Sequence, residues 1–88
     1  MPVEDPSRCY GSITLRRAQV LRRLAEMKTE AEIATELGLA LSRVRSHVSD
    51  LKQLVGVRTT RDLGRWWQTR RLEWLSFYAN EAGVPAGR

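Results

Sequence analysis

Leu41, Val44, Val48, Leu51 and Val55 recur at spacings of three, four, three and four residues, between Gly38 and Gly56. That rhythm belongs to an α-helix with one apolar face, and such a face must be covered by other elements. A helix of this length is marginal alone in water, so the rest of the chain has to supply the covering surface. No segment alternates with period two, and the expected class is therefore all-α. The chain has 88 residues, of which 42% are hydrophobic, enough for one small core. A domain this small buries only about 60–65% of its unfolded surface, which makes self-association a natural supplement.

The neighbouring segments supply three more helices. Either Ser12 or Thr14 caps a first helix running to about Met27, with Val20, Leu21, Leu24 and Ala25 as its apolar stripe. Thr29 and Glu32 have the spacing of a capping box and start a short helix from Glu30 to Leu37. Gly38 suits the left-handed residue that ends it. The 3-4-3-4 helix runs from about Ser42 to Val55 and stops at Gly56. Thr59 or Thr60 then opens a fourth helix reaching about Asn80, which carries Trp66, Trp67, Trp74, Phe77 and Tyr78. Pro2, Pro6 and Gly11 mark an N-terminal tail over 1–12, and Gly83, Pro85 and Gly87 a C-terminal tail over 82–88.

Charge narrows the partners. The net charge is +5, concentrated in two basic blocks, 13–28 and 41–61, each of net +4, around an acidic block of net −3 over 29–40. An excess of this sign points to polyanions. The single cysteine, Cys9, excludes an internal disulfide, and the single histidine, His47, excludes a clustered Cys/His zinc site. No metal or other cofactor is expected. No apolar run approaches the ~20 residues of a membrane span, and no secretory signal opens the chain, so a cytoplasmic location is expected, with no membrane partner. With no glycine-rich phosphate loop, paired carboxylates or nucleophile–base pair, an enzyme is not expected.

A short helix, a tight turn at Gly38 and a longer amphipathic helix make a helix-turn-helix. Ala34 is small where the two helices cross, while Ile33, Leu37, Leu39, Val44 and Val48 point inward. The second helix of the unit then turns Arg43, Arg45, Ser46, Ser49 and Lys52 outward. Such a face suits entry into the major groove of double-stranded DNA.

These blocks resemble the LuxR/GerE-type DNA-binding domain of bacterial transcriptional regulators. The likeness runs through ITLRRAQVLRRLAE, EIATELGL, VRSHVSDL and LVGVRT, without a gap from Ile13 to about Leu63. It implies a four-helix helix-turn-helix domain over 13–63, associated with the bacterial nucleoid, whose third helix reads DNA. Base contacts would come from Arg45, Ser46 and Ser49. Backbone contacts would come from Arg43, His47, Lys52, Arg58 and Thr59. Relative to the family pattern, Arg17 replaces a glutamate, Met27-Lys28 a glycine, and Ala40 a capping serine, which moves the expected cap to Ser42. Arg43 stands in place of a threonine, and Leu54, at a normally polar site, suggests an additional protein surface. Receiver or ligand-binding domains accompany most members, and the chain resembles the stand-alone form.

The fourth helix extends beyond the family's usual length. Trp67, Trp74, Leu75, Tyr78 and Ala82 share one helical face. That face makes 64–81 an expected interface through Trp67, Trp74, Leu75 and Tyr78, with a homodimer the simpler occupant. Two functions follow: a homodimeric regulator of transcription, or a module docking its aromatic helix on another regulator, a sigma factor or RNA polymerase. Arg16, Arg17, Arg22 and Arg23 on the first helix read either as a solvated face or as auxiliary phosphate contacts.

Overall fold

Thr14 sets the start of the first helix. Its hydroxyl accepts the Arg17 N–H at 3.2 Å, which satisfies one of the amides that a helix N-terminus leaves free. The computed structural model describes residues 10–81, and among these it contains four α-helices and no strand. They are α1 (Leu15–Ala25), α2 (Glu30–Leu37), α3 (Leu41–Val55) and α4 (Thr60–Glu81). The chain is all-α, as its periodicity requires.

Each boundary has a local cause. The capping box closes on both sides: Thr29 Oγ1 accepts from the Glu32 N–H at 3.1 Å, and Glu32 Oε1 accepts from the Thr29 N–H at 2.8 Å. Gly38 and Gly56 end α2 and α3 with φ of 66° and 81°. Thr59 caps α4 by accepting the Asp62 N–H at 3.0 Å. Two boundaries differ from the sequence reading. Ser42 does not cap α3; the helix begins at Leu41 after an extended Ala40 that makes no side-chain cap. Leu39 and Leu41 both pack against the core, and this carries the chain into the helix one residue early. At the end of α1, Met27 adopts φ 67° in a turn where Lys28 N–H reaches the Arg23 carbonyl at 3.1 Å and Met27 N–H the Leu24 carbonyl at 3.0 Å. A glycine normally fills that left-handed position.

The core is centred on Val20, Leu21, Ile33, Val44, Leu51 and Leu63, all with no accessible surface. The helix-turn-helix pair, α2 and α3, leans on α1, while the most extensive packing joins α1 to α4. Those two run antiparallel, tied at both ends. Gln68 Nε2 donates to the Ala25 carbonyl at 3.2 Å, and Trp74 Nε1 donates to the Ile13 carbonyl at 3.0 Å. Gly64 lets the helices approach one turn before the first of these ties, at the C-terminal end of α1. A Cβ there would lie 3.1 Å from the Leu24 carbonyl oxygen and 3.3 Å from the backbone of Ala25.

This packing corrects the expected interface. Trp67 and Trp74 are not available to a partner, because they are 5% and 2% exposed against α1. Leu63, Gly64, Trp67 and Trp74 form the inward stripe of α4, so two of the residues read as an interface belong to the core. Leu75 and Tyr78 remain half in solvent, at 50% and 42% exposure, with the Tyr78 ring stacked on Trp74 at 5.1 Å. Leu54 is likewise partly buried against the core. Nor is the segment 64–81 an appendage, since α4 is one helix whose middle closes the core.

The tail assigned to 1–12 is corrected at its end. Residues 10–12 form a single 3-10 turn, and the Tyr10 ring is buried edge-on against Trp66 and Phe77. Its hydroxyl donates to Glu73 Oε1 at 2.8 Å. Residues 1–9, including Cys9, and the tail 82–88, including Ala82, lie outside the described residues.

Two stability measurements separate these roles. Trp74→Ala should cost about 3–5 kcal/mol in urea unfolding, the range for deleting a buried aromatic, whereas Leu72→Ala at an exposed site should stay within about 0.5 kcal/mol. Met27→Gly should raise stability by roughly 0.5–1 kcal/mol by removing a left-handed side chain that makes no buried contact. A loss of stability would mean that the methionine side chain supports the turn.

Candidate nucleic-acid interface

The outer surface of α3 follows from its inner one. Val44, Val48 and Leu51 face the core, which places Ser42, Ser46, Ser49 and Gln53 on the opposite side at helical spacing. All four are exposed. This ridge of short polar side chains is flanked by longer basic ones: Arg45 and Lys52 on one side, Arg43 and His47 on the other. Arg43 and Arg45 are exposed, whereas His47 and Lys52 are half-buried along their stems. Arg58 and Thr59 are exposed in the turn before α4. The Thr59 oxygen already accepts the capping N–H.

The proposed base-contact and backbone-contact residues of α3 therefore share one solvent-facing surface, with Arg58 and Thr59 beyond its C-terminal end. Only Arg45 has an acidic neighbour from α2. Its Nε lies 3.6 Å from Glu30 Oε1, at the long end of an ion pair, and the arginine side chain stays 65% exposed. A contact this solvated is worth little and yields to a better partner.

The first helix contributes more than its own periodicity suggests. Arg17 reaches α3 and pairs with Asp50 at 3.2 Å while also donating to the Ser12 carbonyl at 3.1 Å. His47 is held below its ordinary value of 6.5, first by partial burial and then by the charges of Arg17 and Arg43, with Asp50 opposing and Arg16 adding slightly. Arg16, Arg17, Arg43 and His47 thus form a basic group spanning α1 and α3, partly offset by Asp50. Arg22 and Arg23 behave differently. Arg22 pairs with Glu26 at 3.6 Å, and Arg23 pairs with Glu36 at 2.8 Å. Glu36 is also bound by Lys28, whose hydrogen bond, with that of Arg23, holds the carboxyl below the usual range. The same contact raises the Lys28 ammonium.

The crossing of α1 and α3 brings Arg16 and Arg17 to this site. The sequence carried a signal for them in the run Arg16-Arg17, but sequence alone left their direction open. No group of three or more His, Cys, Asp or Glu side chains able to hold a metal ion occurs among the described residues. No helix among them is long and apolar enough to cross a membrane. Comparisons of the chain with known family models, with curated proteins and with solved structures find no match.

His47 offers a direct readout of this basic group. As the only histidine it gives one imidazole titration by NMR, expected below 6.5 in the folded protein. Its folded pKa is depressed, so its contribution to stability is complete above pH 6.5 and is lost as pH falls through the folded value. Replacing Arg17 with glutamine should move the titration upward. An unchanged midpoint would remove Arg17 from the cluster.

Proposed function

We infer that the chain is a sequence-specific DNA-binding regulator of transcription built as a LuxR/GerE-like helix-turn-helix domain, with α3 as the recognition helix. The outer face of α3 carries this reading: a ridge of small polar side chains between two lines of basic ones. Short residues allow the helix to approach base edges, while the flanking cations meet phosphates on either side of the groove. Arg45 is the residue assigned to bidentate contact with guanine, with Ser46 and Ser49 beside it. Arg43, His47, Lys52, Arg58 and Thr59 take the backbone, and Arg16 and Arg17 extend that line from α1. The start of α3 also has no side-chain cap, and with the Arg43 N–H donated to the Ala40 carbonyl it is the Leu41 and Ser42 amides that are offered to a phosphate.

Two copies on paired half-sites complete the reading, since a two-fold operator calls for a two-fold protein. Leu72, 70% exposed, and Tyr78 are apolar groups on α4 that support such pairing. A second reading, a module that docks on a protein of the transcription apparatus, draws its support from the same exposed apolar groups.

Selection of bound duplexes from a random library tests the principal reading. The wild-type chain should enrich one motif, with affinity falling by about 0.9 log units per log unit of salt for each phosphate contact. Arg45→Ala should relax preference at one base position per half-site, where a good pair discriminates by about 1–3 kcal/mol, and Lys52→Ala should weaken all sequences alike. Absence of an enriched motif, together with salt-independent binding, would leave the protein-docking reading in its place.

A further inference from the structure

The seam between α1 and α4 opens on the surface as a shallow furrow of three concavities, the central one joined to one neighbour through Ala25 and Gln68 and to the other through Arg22, Trp67 and Arg71. Its floor includes Ala18 and the buried indoles of Trp67 and Trp74. Apolar side chains stand at its ends: Met27 at one, Leu15 and Leu75 at the other. Leu15 is 54% and Met27 78% exposed, so neither is satisfied by the fold.

The rim is strongly one-signed. Arg22, Arg61, Arg65 and Arg71 border the furrow, against a single carboxylate, Glu26. Glu26 is taken by Arg22. Among the described residues Arg61, Arg65 and Arg71 form no ion pair within the chain. The furrow shares no residue with the outer face of α3.

We propose that this furrow docks an acidic amphipathic helix of another protein, its apolar stripe on the exposed side chains of Leu15, Leu75 and Met27 and its carboxylates on the four arginines. The length fits: Arg61 to Leu75 spans about 21 Å along α4 at 1.5 Å per residue, which matches a helix of about four turns. Charge complementarity selects this occupant over two others. A second copy docked by a two-fold would set the arginine rim against itself, with Glu26 alone to answer it. A single nucleic-acid strand would need exposed aromatic faces for stacking, and both indoles on the floor are buried.

The test uses two labelled synthetic helices of about 16 residues with the same leucine stripe, one flanked by glutamates and one by lysines, added to the full chain in fluorescence anisotropy. The glutamate helix should bind, with the lysine helix weaker by about tenfold or more at low salt. Leu75→Ser should weaken the glutamate helix, and the paired Arg65→Glu, Arg71→Glu variant should reverse the preference. Leu75 is exposed and uncharged, so Leu75→Ser should retain the far-ultraviolet spectrum and duplex-DNA binding, which separates failure here from failure of the DNA reading. Equal binding of both helices, no binding of the glutamate helix, or its displacement by single-stranded DNA or by unlabelled copies of the protein itself would overturn the proposal.

Discussion

The close approach of α1 and α4 at Gly64 governs the rest of the molecule. The Leu24 carbonyl oxygen and the Ala25 backbone leave 3.1–3.3 Å for any Cβ at this position, so a side chain here would wedge the two helices apart. Their contact brings the Trp74 N–H to the Ile13 carbonyl and Gln68 to the Ala25 carbonyl. With α1 held at both ends, its Val20 and Leu21 are presented to the core beside Ile33, Val44 and Leu51. The helix-turn-helix pair is then supported from behind, and the far side of α3 stays in solvent. Gly64 costs helix propensity, yet the burial of Trp67 and Trp74 that it permits is the larger effect.

The same geometry distributes charge. The carboxylate of Glu36 is drawn toward Arg23 and Lys28, on the side where α1 and α2 meet. The first basic block is thereby divided. Part of it neutralises α2, while Arg16 and Arg17 stand near α3 and add to the field around Arg43 and His47. Asp50 tempers that field through Arg17. The surface proposed for DNA is therefore built from two helices, with α3 supplying the centre and α1 supplying one edge.

α4 links the proposed activities without mixing their residues. Its inward stripe completes the core. Its flank toward α1 forms the arginine-rimmed furrow, and Leu72 lies farther around the helix. The two proposed ligands, a duplex on α3 and a helix on the furrow, would therefore occupy separate surfaces.

Local chemistry in the sequence determined the four helices and most of their ends. The Thr29–Glu32 box, the left-handed Gly38 and Gly56, and the 3-4-3-4 stripe each act within a few residues, so their outcome is readable without knowing the fold. The outward set Arg43, Arg45, Ser46 and Ser49 was legible for the same reason, because the inward set fixes its direction. Periodicity does not say what covers a face. The stripe containing Trp67 and Trp74 read as an interface, and only the antiparallel docking of α4 on α1 assigned those two rings to the core. Tyr10, in a segment marked as tail by Pro2, Pro6 and Gly11, is buried because α4 is long enough to bring Trp66, Glu73 and Phe77 to it. The meeting of Arg17 with Asp50 and of Arg45 with Glu30 depended likewise on how helices cross, a relation between residues 33 and 15 positions apart that no local pattern encodes.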